Sequence, residues 1–522
     1  MNVNAYKEFK DTHYIGLVGR TGTGKTSIIR KLTDDIRNEE SECFSYVVEL
    51  SLKDYLLEIP NYTSINSSIQ SMAEVEKNIE LYIKLCVMKY IVSNKELFLK
   101  DKFGENNIKI IENYLSTKGI KRETDIVRKI LNTLSEMKYD TSLSTAVSAI
   151  SKITLSLTGE DYDKAVESLS AILMEAPILV IIDTLEHYDI RDEQLLIIAR
   201  ALITVSFHYA WNFHKENMFI KYAMPSEIYT QVRSLLPAKF VGREIYIEWN
   251  YKDLVKMVAI KFYCYAINHK DFFDFISNYS LDDLYEDAQT AMNLIYEFLP
   301  EMCPATIALK FDTMAYCIRH TQKKPRQLLM VMDALIGYIV ERNNKNLLKM
   351  NTNKVRYLIH SVQEEMIMDS ISMYRDSIPQ LLKIFSEIIS GKQYKFCAKE
   401  LEEYIRGAKT LYREKLRAED IKRVLIESGI IGLQEKEKYI PENSKWFENE
   451  KVIRVMDASF EYQIKGNLIY NENSIMLIHP MCYEYFKCEI SKYTMVYPDR
   501  EVDPDDFLNN IFKDDNDYLF DY

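Results

Sequence analysis

The sequence predicts an α/β protein with a parallel sheet in its N-terminal part and a mostly helical C-terminal half. In the first 250 residues, apolar strand-like runs alternate with helical periodicity, the pattern of a parallel sheet covered by helices. The run "PILVIID" at 177–183 is continuously apolar up to its last residue, as in a strand buried on both faces. Glycine and proline are scarce, at 14 and 12 of 522 residues, which favours helix elsewhere.

The elements of the N-terminal part are predicted in order from these patterns. A first strand at 13–19 leads through a glycine-rich turn into a helix at 25–32. A second strand at 43–52 is rich in β-branched and aromatic residues. A helical insertion follows at about 67–170, because apolar residues there recur three and four apart. The remaining predicted elements are a strand at 177–183, a helix at 193–208, and strands at 218–224 and 244–249.

The C-terminal half is predicted to be helical to about residue 422 and then to end in a β-hairpin. Asn250 is the predicted N-cap of its first helix, with Asp253 three residues on. The stretches 451–464 and 467–480 look like a β-hairpin, with "NEN" at 471–473 supplying turn residues. Helices followed by a β-ribbon are typical of a winged-helix module.

Composition limits the classes of function. The net charge of −12 argues against a broad nucleic-acid-binding surface. The eight cysteines lack metal-ligand spacing, so reduced thiols are expected. No apolar run is long enough for a signal core or a membrane span, so we expect a cytoplasmic protein. From residue 498 the chain is acidic and aromatic, and we expect a disordered tail unless it docks on a basic partner or adds a strand.

The glycine-rich turn "GRTGTGKT" at 19–26 fits G-x-x-x-x-G-K-[ST], the P-loop or Walker A motif. Its backbone N–H groups must surround a phosphate, which requires φ values that glycine adopts readily. Lys25 would reach the β- and γ-phosphates of ATP, and the Thr26 hydroxyl would bind Mg²⁺. The predicted nucleotide-binding residues are Gly19, Thr21, Gly22, Thr23, Gly24, Lys25, Thr26 and Ser27.

A second group of acidic residues follows the strand at 177–183. Asp183 ends that strand and would hold Mg²⁺, while Glu186 would orient the attacking water. The alternative is an ordinary buried strand that ends in a helix-capping aspartate.

Together, the two motifs resemble those of the STAND and AAA+ groups of P-loop ATPases. In these groups another strand lies between the P-loop strand and the strand that carries the metal aspartate. "DTLEH" at 183–187 is similar to the NACHT-type pattern, which makes Glu186 the candidate catalytic base. No glutamate follows Asp183 directly, and His187 stands at the last acidic position of the pattern. We therefore expect slow hydrolysis.

The resemblance also implies sensor residues and a helical lid. Lys221 or Ser226 would be a polar sensor near the γ-phosphate, although a structural role is favoured for both. In the lid segment 320–336, Pro325 would lie near the adenine and Arg326 would reach the γ-phosphate. An ordinary Pro-Arg helix start is an equal alternative. Arginine-finger candidates, more simply read as surface residues, are Arg200 and Arg233.

The predicted domains are an ATPase core at 1–250, an all-α lid at 251–345, a winged-helix-like α+β domain at 346–497 and the tail at 498–522. Within the third domain, the basic stretch 411–433 would contact DNA. The alternative is a solvated helix, because acidic residues lie between the basic ones and can form ion pairs with them. His479 is interpreted as a packed structural histidine.

Three functions are compatible with this layout. The first is an ATP-dependent switch that oligomerises and acts through a partner protein; relatives of this layout serve in bacterial signalling and anti-phage defence. The alternative is a DNA-binding ATPase, an initiator, loader or remodeller. A P-loop kinase is the third, but it leaves the helical half without a role. No membrane partner is expected.

Overall fold

A computed structural model describes the chain except for some segments. The described residues are 3–51, 72–98, 102–122, 125, 157–183, 193–270, 272–304, 310–341, 350–375, 378–440, 453–463, 468–490 and 494–498. The chain divides into two compact units, Met1–Arg20 with Gly24–Ile247, and Thr21–Thr23 with Glu248–Tyr522. The further boundaries predicted at 345 and 497 stay predictions.

The first unit is built around a five-stranded sheet in the order β2-β3-β4-β1-β5, with every pair parallel. Its strands are β1 Gly16–Val18, β2 Tyr46–Ser51, β3 Ile178–Asp183, β4 Met218–Met224 and β5 Glu244–Tyr246. β3 and β4 are almost fully buried, since both faces of a parallel sheet are covered. The predicted parallel sheet is confirmed, including the strand between β1 and β3, which is β4.

Helices surround this sheet. They are α1 Val3–Lys10, α2 Lys25–Arg37, α3 Met72–Ser93, α4 Lys95–Phe98, α5 Lys102–Thr117, α6 Glu160–Glu175, α7 Glu193–Trp211, α8 Phe213–Glu216 and α9 Ser226–Arg233. α7 packs on β4 and α3, α2 packs on β2, and α1 packs on β5. The described parts of the predicted insertion, α3 to α6, are helical as expected. A 3-10 turn at Ala238–Phe240 precedes β5.

The second unit begins with helices. They are α10 Tyr251–Ala266, α11 Leu281–Glu286, α12 Ala288–Tyr296, α13 Thr313–Arg319, α14 Pro325–Glu341, α15 Thr352–Ser361, α16 Gln363–Ser370, α17 Leu381–Ile389, α18 Ala398–Gly407, α19 Lys409–Arg413 and α20 Ala418–Glu427. The predicted N-cap is confirmed, because Asn250 Oδ1 accepts from the backbone N–H of Asp253 at 2.8 Å. Shorter 3-10 turns lie at Ile267–His269, Asp274–Asn278, Ser372–Tyr374, Glu461–Gln463 and Pro480–Cys482.

Strands in the second unit correct two expectations. β6 Met302–Pro304 and β7 Lys310–Asp312 pair antiparallel, so the lid segment is not all-α. β8 Lys395–Cys397, β9 Ile431–Ile440, β10 Ile453–Ser459, β11 Ile475–Ile478 and β12 Thr494–Tyr497 form a sheet in the order β12-β10-β9-β11-β8. The predicted hairpin of β10 with β11 is wrong, because β9 lies between them and pairs antiparallel with both. Strands of three residues have too little periodicity to be recognised, and pairing order is not a local property.

No helix among the described residues is long and apolar enough to cross a bilayer. The eight cysteines all lie among the described residues, as free thiols. The predicted structural role of His479 agrees with its environment: the ring is fully buried, accepts from the Met481 N–H at 3.2 Å and contacts the Tyr462 hydroxyl at 3.0 Å.

Candidate phosphate-binding site

The turn between β1 and α2 has the backbone of a phosphate-binding loop. Gly22 and Gly24 have φ of +87° and +100°, in the left-handed region that strains other residues. A Cβ on Gly24 would meet no atom within 4 Å, so the backbone angle, not space, requires glycine there. α2 has no side-chain cap at Gly24 and no acidic residue in its first turn. The positive end of the helix is therefore presented to an anion.

Lys25 lies inside this loop. Its side chain is buried, and its ammonium donates to the carbonyl oxygens of Gly19 at 2.8 Å and Arg20 at 3.1 Å. Both carbonyls belong to the loop itself, so the amine is held against the turn. An incoming phosphate would offer this ammonium a charged acceptor in place of neutral ones, and charge-assisted hydrogen bonds are stronger.

The two predicted magnesium ligands lie together. Thr26 Oγ1, in the first turn of α2, donates to Asp183 Oδ2 at the end of β3 over 3.0 Å. The sequence separates the two residues by 157 positions, and the carboxyl ends of the parallel strands bring them to one edge. A hydroxyl and a carboxylate are the hard oxygen donors that Mg²⁺ prefers, so these residues fit the ion. When bound beside a nucleotide, Mg²⁺ neutralises phosphate charge.

A buried ion pair fixes the first half of the loop, and sequence reasoning missed it. Arg20 Nε lies 3.2 Å from Glu227 Oε1, and both side chains are less than one-tenth exposed. Ser226 also contacts the loop, because its backbone N–H donates to Gly19 O at 3.3 Å. The Ser226 hydroxyl donates to Glu227 Oε2 at 3.2 Å. Arg20 occupies a variable position of the motif and Glu227 follows a residue already considered, so the sequence carried only a weak signal for this pair.

Lys221, the other sensor candidate, points elsewhere. Its ammonium donates to the carbonyls of Asp11 at 2.8 Å and Tyr14 at 2.6 Å, in the segment before β1. The rings of Phe9 and Phe219 lie 4.7 and 5.0 Å from it. Complete burial lowers the pKa of this ammonium to about 7. The side chain joins β4 to the α1–β1 segment, as the favoured structural interpretation expected.

The loop tip Thr21–Thr23 belongs to the second unit, together with the predicted lid residues. Trp249 Nε1 donates to Thr23 O at 2.9 Å. A Cβ on Gly22 would lie 3.3 Å from Arg326 Cβ, so the start of α14 packs directly on the tip. Pro325 is the first residue of α14 and is buried. Thr21 Oγ1 is buried without a hydrogen-bond partner in the described part of the chain, which leaves a polar atom for a ligand.

Some predicted residues are not placed by these observations. Glu186 and His187 lie outside the described residues, as does the tail from 499 onward. Arg200 in α7 and Arg233 at the end of α9 are half-buried, and an arginine finger in either stays a prediction. Among the described residues, no group of three or more His, Cys, Asp and Glu side chains forms a metal cluster.

Comparison with known proteins agrees with the loop geometry. Residues 2–208 match the KAP family P-loop domain, a span that contains the glycine loop and Asp183. No curated protein matches the chain. A loop with left-handed glycines, the buried Lys25 and the Thr26–Asp183 pair are what such a domain uses to bind nucleotide phosphates and Mg²⁺. The chain therefore carries a P-loop NTPase domain.

Proposed function

We propose that the protein is an ATP-binding switch that hydrolyses ATP slowly and acts through oligomerisation and a partner protein. The observation that carries the proposal is the arrangement of Lys25, Thr26 and Asp183 around a preformed glycine loop. This arrangement supplies a cation for the phosphates and oxygen ligands for Mg²⁺ at one place.

Each residue then has a defined task. Lys25 and the backbone of the loop bind the β- and γ-phosphates, while Thr26 and Asp183 hold Mg²⁺. Glu186 orients the attacking water, and Arg326 contacts the γ-phosphate from the start of α14. Pro325 lies near the adenine. The absence of a glutamate directly after Asp183 supports slow turnover.

We propose that the second unit binds the partner protein, because the resemblance to STAND ATPases implies a switch that acts through a partner. This unit holds more than half of the chain, from Glu248 onward. The resemblance to STAND ATPases suggests signalling or anti-phage defence, with either a homo-oligomer or a complex with an effector as the active form.

The DNA-binding alternative has less support from the charges on α20 and its neighbours. Arg417 pairs with Asp420 at 2.8 Å, and Arg423 pairs with Glu427 at 2.5 Å. Lys422 pairs with Glu402 of α18 at 2.6 Å. These basic side chains already have acidic partners, which competes with phosphate contacts. Steeply salt-dependent DNA binding by the purified protein would revive this alternative.

The test combines ATP turnover with particle size, measured with and without nucleotide. We expect wild type to turn over slowly and to change its sedimentation when MgATP is added. Lys25→Ala should lose both responses, whereas Lys31→Ala, on the exposed side of the same helix, should keep them. An unchanged particle size in saturating MgATP would contradict the switch, even if turnover is observed.

A further inference from the structure

Asp369 in α16 is a nearly buried carboxylate shared by residues at the start of α14. Its side chain is 4% exposed. Oδ1 accepts from Arg326 Nη1 at 3.1 Å. Oδ2 accepts from Lys324 Nζ at 3.3 Å and from Gln327 Nε2 at 3.2 Å. One carboxylate therefore holds two cations, and one of these is the predicted γ-phosphate ligand.

The two cations differ in their freedom to leave. The Lys324 side chain is 2% exposed, whereas that of Arg326 is 51% exposed. If Arg326 turns away, Asp369 keeps Lys324 and Gln327, so no buried carboxylate is left unpaired. The Arg326 guanidinium is half-exposed, so water replaces part of the interaction that it loses when it leaves Asp369.

Arg326 also packs on the tip of the glycine loop. Its Cβ is 3.3 Å from the Cβ position of Gly22, at the tip of the glycine loop within the same unit. A guanidinium binds a phosphate through two parallel N–H···O bonds, which is stronger than its single contact with Asp369.

We propose that Asp369 is a positioning residue that competes for Arg326 with the phosphates of a bound nucleoside triphosphate. The inference rests on the proposed nucleotide site and adds the competition that regulates it. Asp369 thereby sets the affinity for nucleotide without touching it.

The release of Arg326 from Asp369 also affects α16. Gln327 Nε2 also donates to Met366 O at 3.2 Å and Ser370 Oγ at 2.9 Å, so the start of α14 and the end of α16 share one polar network. Loss of the Arg326 contact therefore changes the environment of the α16 backbone. This change is measurable as amide hydrogen exchange in peptides that cover 363–370.

The first experiment is a double-mutant cycle on MgATP affinity. Asp369→Asn keeps the shape and an acceptor oxygen but removes the charge that competes for Arg326. We expect it to tighten MgATP binding about 5-fold, and Arg326→Gln to weaken binding about 10-fold. The double variant should bind within about 2-fold of Arg326→Gln alone. Glu365→Gln, an exposed carboxylate change on the same helix, should leave affinity unchanged.

Unchanged affinity in Asp369→Asn, or the same tightening in the Arg326→Gln background, would overturn the proposal. If Asp369→Asn does not fold, the test is amide hydrogen exchange in wild type and in Arg326→Gln. Each protein is measured without nucleotide and at saturating MgATP. Exchange in 363–370 should change on binding in wild type only, and an equal change in Arg326→Gln would refute the competition. Failure of wild type to bind any nucleotide would instead refute the nucleotide site itself.

Discussion

Two regions of the first unit each bury a lysine in nearly the same way. Lys25 donates to the carbonyls of Gly19 and Arg20, and Lys221 donates to those of Asp11 and Tyr14, all between 2.6 and 3.1 Å. Both side chains are almost inaccessible to solvent. A buried ammonium on backbone carbonyls is therefore not by itself the mark of a functional site.

The surroundings of the two ammonium groups make the difference. Lys25 lies in a loop with left-handed glycines, beside Thr26 and Asp183, so a phosphate can replace its neutral acceptors. Lys221 lies between the rings of Phe9 and Phe219, and its carbonyl partners fasten the segment before β1. We infer that the first lysine serves ligand binding and the second serves stability.

The largest expected effect is a difference in the free energy of unfolding between variants at the two lysines. Lys221→Ala should lower the free energy of unfolding by about 3 kcal/mol, because it leaves a cavity and two carbonyls without their donor. Lys25→Ala should lower it by about 1 kcal/mol. Urea denaturation measures both losses. An equal or larger loss for Lys25→Ala would contradict the assignment of Lys221 to stability and Lys25 to ligand binding.

The next largest effect is the pH dependence that Lys221 gives to the free energy of unfolding. Burial lowers the pKa of Lys221 to about 7, although the nearby Asp11 and Cys43 oppose the shift. The unfolded chain therefore binds more protons between pH 7 and the ordinary lysine pKa, and stability rises with pH in that window. We expect a gain of about 2 kcal/mol from pH 7 to pH 9 that is missing in Lys221→Met. Parallel pH profiles of the two proteins would contradict this.

The magnesium ligands give a smaller effect, in binding only. Mg²⁺ strengthens nucleotide binding, and we expect this gain to be about 10-fold smaller in Asp183→Asn than in wild type, because one charged oxygen ligand is lost. Binding measured in EDTA should change less than about 2-fold. Asp34→Asn, on the exposed face of α2, is the matched control. If Asp183→Asn lowers affinity equally with and without Mg²⁺, Asp183 is not a metal ligand.

The smallest expected effect concerns the ion pair that holds the loop. Glu227→Gln should cost about 1 kcal/mol of stability, because glutamine still accepts a hydrogen bond from Arg20 but carries no charge. Glu49→Gln removes the exposed pair with Arg37 and should cost less than about 0.5 kcal/mol. Thermal denaturation of the two variants compares them, and equal losses would show that burial of the Arg20 pair contributes nothing.

The sequence predicted the parts of the site that follow a motif or end a strand. The glycine loop, Lys25, Thr26 and Asp183 were predicted, because the loop and the carboxyl ends of parallel strands fix them locally. β4 was predicted as a strand from its own pattern, but that a strand lies between β1 and β3 was predicted only through the resemblance. Asp369 was not predicted, since it lies 43 residues from Arg326 and follows no motif. The pairing of β9 between β10 and β11 was also missed, because it depends on tertiary packing.

The most direct test of the account is the affinity for MgATP measured by calorimetry in wild type, Lys25→Ala and Lys31→Ala. Lys25→Ala should bind at least about 100-fold more weakly than wild type while it stays folded, because the phosphates lose a charge-assisted hydrogen-bond donor. Lys31→Ala should bind like wild type. Nucleotide binding of equal strength in Lys25→Ala and wild type would contradict the account.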